Sequence, residues 1–145
     1  SNNYFDPEDT VGFLIWDANR VRNREFSDRT TRHGVTLGLR PFLRALWERD
    51  GLTQRELSAK VRMKGPTKVA AVNKLEERGL VNREENRNDA RKINIFLTPD
   101  GRKVYRKVIP EVEAVNRQCR DALSEQEQAE FKSMIRRVRS TLTGS

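Results

Sequence analysis

Cysteine and histidine each occur once in the 145 residues, as Cys119 and His33. A single cysteine excludes an internal disulfide and suits a reducing compartment, so a cytoplasmic setting is expected. One residue of each kind leaves no zinc cluster of ordinary ligand spacing. Long apolar runs are missing as well: no stretch approaches the roughly 20 residues that cross a bilayer, and no basic-then-apolar leader opens the chain. Neither a phosphate-cradling glycine loop nor a nucleophile elbow is present. His33 lies beside Gly34 at a helix end, where capping carbonyls suits it better than abstracting protons. These absences point away from an enzyme, a metal site, a cofactor and a membrane protein.

Charge is what the chain has in quantity. Charged residues make up 34% of it, nearly equal to the 35% that are apolar, and the net charge is +8. The excess is local. Residues 1–50 carry 8 basic and 8 acidic side chains, residues 51–105 carry 13 and 7, and residues 106–145 carry 8 and 6. A basic field confined to the middle third points to a polyanionic partner, nucleic acid first and an acidic membrane surface second.

Periodicity supplies the frame. Val11, Leu14, Ile15, Ala18 and Val21 fall at helical spacing from Thr10 to about Arg32, with Phe13 and Trp16 off that stripe, so the first helix needs a second partner. Gly34 ends it. A further helix carries Leu39, Phe42, Leu43 and Leu46, with Pro41 in its first turn. In "DGLTQRELSAKV", Thr53 and Glu56 form a capping box, and Leu57 and Val61 give the short helix its buried side. In "PTKVAAVNKLEERG", Pro66 is placed to begin a helix and Gly79 to end it in the left-handed conformation. Two short helices one turn apart, then a hairpin, make a helix-turn-helix with a wing. After the wing, Thr98 caps a helix whose apolar residues run Val104, Val108, Val112, Val115, Cys119 and Ala122. That is a coiled-coil seam, interrupted by Pro110, on which Cys119 is expected to be a buried, inert thiol. Ser124 and Glu127 cap a last helix with Phe131, Met134, Ile135, Val138 and Leu142 on one side.

The wing, "LVNREENRNDARKINIFLTPDG", has strands over Leu80–Glu84 and Lys92–Leu97, with Ile93, Ile95 and Leu97 inward. Asn86, Asn88 and Asp89 supply the turn. Arg87, Arg91 and Lys92 are then forced outward. On the recognition helix a helical projection puts Val69, Val72, Leu75 and Glu76 inside and Thr67, Ala70, Ala71 and Lys74 outside, led by Pro66. Small outward side chains let the helix backbone sink into a major groove about 12 Å wide. Thr67 can reach a base edge or a thymine methyl. Lys64, Lys68 and Lys74 are expected to anchor phosphates, as are Arg83 and Lys92. Arg87, nearest the tip, is the candidate for insertion into the minor groove, where the potential is most negative. Arg91 either joins it or pairs with Asp89, whose role is to stiffen the hairpin.

In its order of pieces the sequence resembles the MarR (multiple antibiotic resistance regulator) family. The most specific part is the wing, where an Asp-x-Arg is followed by Leu-Thr-x-x-Gly: Asp89, Arg91, Leu97, Thr98 and Gly101. "LTQRELSAKV" and "NKLEERGLV" look like that family's second and recognition helices. There are departures: Asn86 stands where an acidic residue is common, Ala70 where arginine is frequent, Lys68 where an apolar residue is usual, and Gly38 and Pro41 precede the motif. The resemblance implies a regulator, most often a repressor, that answers to a small and often aromatic ligand held between the dimerisation helices and the DNA-binding lobe. By position Trp16, Arg20, His33, Arg40, Phe42 and Trp47 could line such a pocket.

The expected fold is mainly α with a small β-hairpin wing: a winged helix-turn-helix lobe over 36–98, wing 80–97, between dimerisation helices over 10–34 and 99–143. The expected function is a homodimer on pseudo-palindromic double-stranded DNA, with half-sites about one turn apart. A winged-helix module that binds protein and an RNA-binding adaptor are the alternatives.

Overall fold

The computed structural model describes residues 6–36, 38–62 and 65–144, with the side chains of 65–67 outside that set. The chain divides into two compact units, Ser1–Glu111 and Val112–Ser145.

The first unit begins with a 3-10 turn at Pro7–Asp9 and helix α1 at Val11–Thr30. Thr10 caps α1 by accepting from the Phe13 amide at 3.1 Å. A second 3-10 turn, Thr31–His33, ends at Gly34, whose φ of 77° is the left-handed conformation that glycine adopts without a steric penalty. Then come α2 (Arg40–Glu48, Pro41 in its first turn), β1 (Leu52–Thr53), α3 (Gln54–Lys60) and α4 (Gly65–Glu77). Strands β2 (Val81–Glu85) and β3 (Ile93–Leu97) follow, and α5 runs from Pro99 to Asp121 with Pro110 inside it.

The core of this unit is built where the apolar periods converge. Phe42, Leu43 and Leu46 of α2, Leu57 of α3, Val72 and Leu75 of α4, Val81 and Ile95 of the sheet, and Val108 of α5 are all fully buried. The sheet has the order β1-β3-β2, antiparallel throughout, with Leu52 opposite Ile95 and Val81 opposite Leu97. The two-stranded wing expected from sequence is thus part of a three-stranded sheet. β1 is only two residues long, too short to show alternation. It is tied in by side chains: Asn94 donates to the Gly51 carbonyl at 2.7 Å, while Asp50 accepts from the Leu97 amide at 2.8 Å and from Arg102 at 2.7 Å.

The apolar stripe of α1 is unmatched among the described residues. Val11, Leu14, Ile15 and Val21 are exposed, as is Trp16 on the other face, and burial along α1 begins only at Phe26 and Thr30. The second unit holds the end of α5 and helix α6 (Glu125–Thr143), whose Ser124–Glu127 capping box is formed in both directions. Phe131, Met134, Ile135 and Leu142 of α6 are exposed. Cys119, expected to be buried in the α5 seam, is exposed too. That seam is covered at Val108 and Val115 and open from residue 116 to 122.

Gly101 explains a position that composition alone cannot. A Cβ there would sit 2.1 Å from the Leu80 carbonyl oxygen, a backbone atom with no room to yield. Gly101→Ala is therefore expected to destabilise the first unit by about 1–3 kcal/mol, the usual cost of overpacking, read as a lower urea midpoint at unchanged slope.

Candidate nucleic-acid interface

Helix α3 starts at a complete capping box: Thr53 accepts from the Glu56 amide at 3.1 Å, and Glu56 accepts from the Thr53 amide at 3.1 Å. The Thr53 backbone amide first, then the Thr53 side chain, and only after them the Arg49 guanidinium, hold the Glu56 carboxyl below its ordinary range. The capped helix presents its C-terminal carbonyls to α4, and there Lys68 departs from expectation. Its half-buried ammonium donates to the Ser58 carbonyl, linking the two helices of the helix-turn-helix where an apolar contact is usual. Lys68 thereby braces α4 against α3.

The face of α4 is rotated from the sequence projection. Ala71 is buried with Val72 and Leu75, whereas Val69, expected inside, is half exposed at 51%. The spacing Lys68, Ala71, Val72, Leu75 is i, i+3, i+4, i+7, the stripe that packs inward. Val69, Ala70, Asn73 and Lys74 form the outer face. Val69 and Asn73 are members that the sequence reading missed; moving the inward face by one residue would have found them. Pro66 lies in the first turn of α4 and Thr67 beside it, but their side chains, like all of Lys64, fall outside the described residues.

At the wing, the Asn86 side chain accepts from the amides of Asn88 (2.9 Å) and Asp89 (3.1 Å), forming the turn. Its amide group donates to Asn94 at 2.9 Å, so the tip is joined through Asn94 to Gly51. Asp89 accepts from the Arg91 backbone amide at 3.0 Å and from Arg91 Nε at 3.2 Å. The amide first, then the guanidinium, hold the Asp89 carboxyl below its usual range. Arg91 remains 92% exposed beyond that contact. Arg87 and Lys92 are exposed; Arg87 has no side-chain partner among the described residues, and Lys92 makes no side-chain hydrogen bond there, although its charge acts on the Asp89 and Glu56 carboxylates.

Arg83, expected on phosphates, is half-buried between wing and helix. Its guanidinium donates to Glu76 at 2.8 Å and to Asn73 at 2.7 Å, fastening β2 to the outer edge of α4. Arg78, at the end of α4, donates to the Gly34 carbonyl at 2.7 Å. Neither long-range contact leaves a trace in periodicity.

The six residues proposed for a ligand pocket do not converge. Trp16 packs on Phe13 with Arg20 over its ring at 5.9 Å, and Arg20 pairs with Asp17 at 2.8 Å. Trp16 and Thr30 lie 14 residues apart on one helix, about 21 Å at 1.5 Å per residue, so Trp16 and His33 cannot share a pocket within one copy. His33 sits 3.9 Å from Glu111, beside Arg32. Phe42 is core. Trp47 packs on Tyr105 at 5.3 Å, with Arg106 over it at 5.5 Å. Arg40 lies over Phe26 at 5.2 Å on the flank of α2. Among the described residues no group of acidic, His or Cys side chains could hold a metal, and no helix is long and apolar enough to cross a membrane.

Known proteins share this arrangement. Residues 42–93 match the MarR family. The regulatory protein assigned to the hcr operon of Thauera aromatica is 31% identical over 132 residues, covering 88% of this chain and 78% of that protein. Among solved structures, the PcaV transcriptional regulator of Streptomyces coelicolor in complex with its natural ligand superimposes with a TM-score of 0.82 at 26% identity, over 94% of this chain and 96% of that one. The S. aureus MepR–DNA complex gives a TM-score of 0.84 at 23% identity, over 91% and 98%. These relatives are transcriptional regulators and not enzymes. With the capped α3, the carboxylate-braced wing and the Leu-Thr-x-x-Gly fastening already traced, the chain belongs to the MarR family of winged helix-turn-helix transcriptional regulators.

Proposed function

We propose that the protein acts in the cytoplasm as a homodimeric repressor on a pseudo-palindromic DNA operator and is released by a small, aromatic ligand. One observation carries the DNA reading. The side chains of Asn86 and Asp89 hold the wing turn, and the Arg87 side chain at its tip has no partner among the described residues, while Lys92 closes the turn through its backbone and leaves its ammonium without a hydrogen bond there. On this reading Arg87 enters the minor groove, Arg91 and Lys92 touch phosphates, and α4 enters the major groove by its outer face. Pro66, Thr67, Ala70 and Lys74 lead that face, and Lys64 precedes it. Lys68, Ala71 and Arg83 support it from behind.

The dimer reading rests on apolar surface. Val11, Leu14, Ile15, Trp16 and Val21 of α1, and Phe131, Met134 and Leu142 of α6, are exposed at helical spacing, which suits packing against a second copy. The ligand reading is supported by PcaV, whose solved structure holds its natural ligand. A ligand that binds better to a dimer with wrongly spaced recognition helices would release DNA by that difference in affinity.

Selection of bound sequences from random duplex DNA is expected to return an inverted repeat with half-sites about one helical turn apart. Recovery of single, unrepeated sites, or a monomer in sedimentation at micromolar concentration, would count against the dimer. Salt titration separates the arginines. Arg87→Ala should weaken binding and flatten the slope of log K against log salt by about 1, the mark of one lost phosphate or groove cation. Arg83→Ala should weaken binding at an unchanged slope, because its charge is already matched within the protein. A slope that drops equally for both would place Arg83 on DNA.

A further inference from the structure

A second basic feature lies away from wing and recognition helix. A groove of about 590 Å³ opens between α2 and the end of α3, lined by Arg40, Pro41, Arg44, Ala45, Glu48, Lys60, Val61 and Arg62. Its size is within the range of small-molecule sites. Pro41, Ala45 and Val61 supply apolar wall. Cations stand on both sides of it: Arg40 and Arg44 one helical turn apart on α2, Lys60 and Arg62 on the facing segment. Glu48 is the single acidic side chain there, and it takes Arg44 Nε at 3.1 Å, leaving the terminal nitrogens of Arg44 without an acceptor among the described residues.

Arg40 is the least ordinary of the four. Its Nε is buried with no hydrogen-bond partner, and burial, more than its neighbours Arg44 and Arg22, pulls its pKa below the usual arginine value. Tyr105, which faces it, and the Phe26 ring below it offset only part of that cost. The Nε is closed off from the groove, but the terminal nitrogens of Arg40, which lines it, have no acceptor among the described residues, and an anionic oxygen is the group that pairs with them best.

We propose that this groove binds a small organic acid carrying two or more carboxylates, its carbon skeleton on Pro41, Ala45 and Val61. One carboxylate is held by Arg40 and Arg44 and another by Lys60 and Arg62. Cations on two walls require more than one anionic group, which separates this ligand from a monocarboxylate. The apolar wall separates it from a bare inorganic anion. The site is independent of the DNA reading, since all its residues lie on α2, α3 and the segment after α3, and it is tested on protein alone.

Calorimetric titration of the full chain without DNA, at matched ionic strength, compares citrate with benzoate and inorganic phosphate. Citrate should saturate at one per chain and bind at least tenfold tighter than either of the others. Arg40→Gln should weaken it tenfold or more. Because Arg40 is half-buried, the exposed pair Lys60→Gln with Arg62→Gln provides a second variant that leaves the core untouched and should do the same. Lys132→Gln, on α6, should leave citrate binding unchanged. Equal affinity for the three anions, or a loss on Lys132→Gln as large as in the groove variants, would reduce the site to diffuse surface charge and overturn the proposal. So would finding that the Lys60/Arg62 pair flattens the salt dependence of DNA binding while citrate fails to bind, because the groove would then be a phosphate-backbone contact.

Discussion

The connection between recognition helix and wing depends on two residues, Gly79 and Leu80, and on how tightly they are held. Gly79 takes a φ of 71°, which turns the chain out of α4. The Leu80 amide bonds back to the Leu75 carbonyl at 2.9 Å, closing the helix end, and the Leu80 carbonyl accepts from the Thr98 amide at 3.1 Å. The Thr98 hydroxyl donates to the Gly79 carbonyl at 2.6 Å and accepts from the Gly101 amide at 3.0 Å, so one threonine ties this turn and starts α5. The missing side chain at Gly101 lets the two backbones approach this closely. The orientation of α4 against β2 is thereby set by backbone bonds inside one unit. Arg83, reaching Glu76 and Asn73, adds a side-chain brace to the same joint.

The basic side chains divide into two populations on this frame. Arg83, Arg78, Arg102 and Lys68 are internal fasteners, each donating across at least seven residues of sequence to a carbonyl, an amide oxygen or a carboxylate. Arg87, Lys92 and Lys74 make no such long-range hydrogen bond among the described residues. Net charge does not distinguish the two groups. Cations matched by carboxylates, as Arg83 and Arg102 are, add little to long-range attraction, so the field that draws in a polyanion comes mainly from cations without such a partner. A wing whose turn is held by Asn86 and Asp89 presents those charges in one geometry before the partner arrives, which lowers the ordering cost of binding.

What could be read in the sequence follows from how local each cause is. Capping boxes at Thr53 and Ser124 and the turn at Asn86 are decided within four residues, and they stand where the pattern placed them. The strands were legible to within a residue, since Ile95 and Leu97 alternate inward. The errors share another origin. Val69 and Ala71 exchanged faces because a helix of 13 residues with two central alanines has a weak apolar stripe, so a small change of phase reverses the assignment. Lys68 looked like a surface anchor because nothing in its neighbours reveals that Ser58, ten residues earlier, offers a carbonyl. The six pocket residues were grouped by position under the resemblance, and helix length separates Trp16 from His33 within one copy. β1 and the Arg78–Gly34 contact are purely tertiary.

The exposed helices give the last step. α6 is 19 residues long, well capped, and has no buried residue of its own. Isolated helices of this length are marginal in water, since capping contributes only about 1 kcal/mol and i,i+4 pairs a few tenths each. Its apolar side at Phe131, Met134, Ile135 and Leu142 must therefore be covered for the helix to persist, and the same holds for the N-terminal half of α1, whose Val11, Leu14, Ile15 and Trp16 are bare. In the proposed homodimer a second copy would cover both, because each chain brings the same two unmatched faces to a two-fold axis. That assembly would also double the number of wings, and the second lobe would meet its half-site at a high effective concentration. On that proposal, hiding the apolar sides of α1 and α6 and binding DNA through a small wing are two requirements that one assembly would meet.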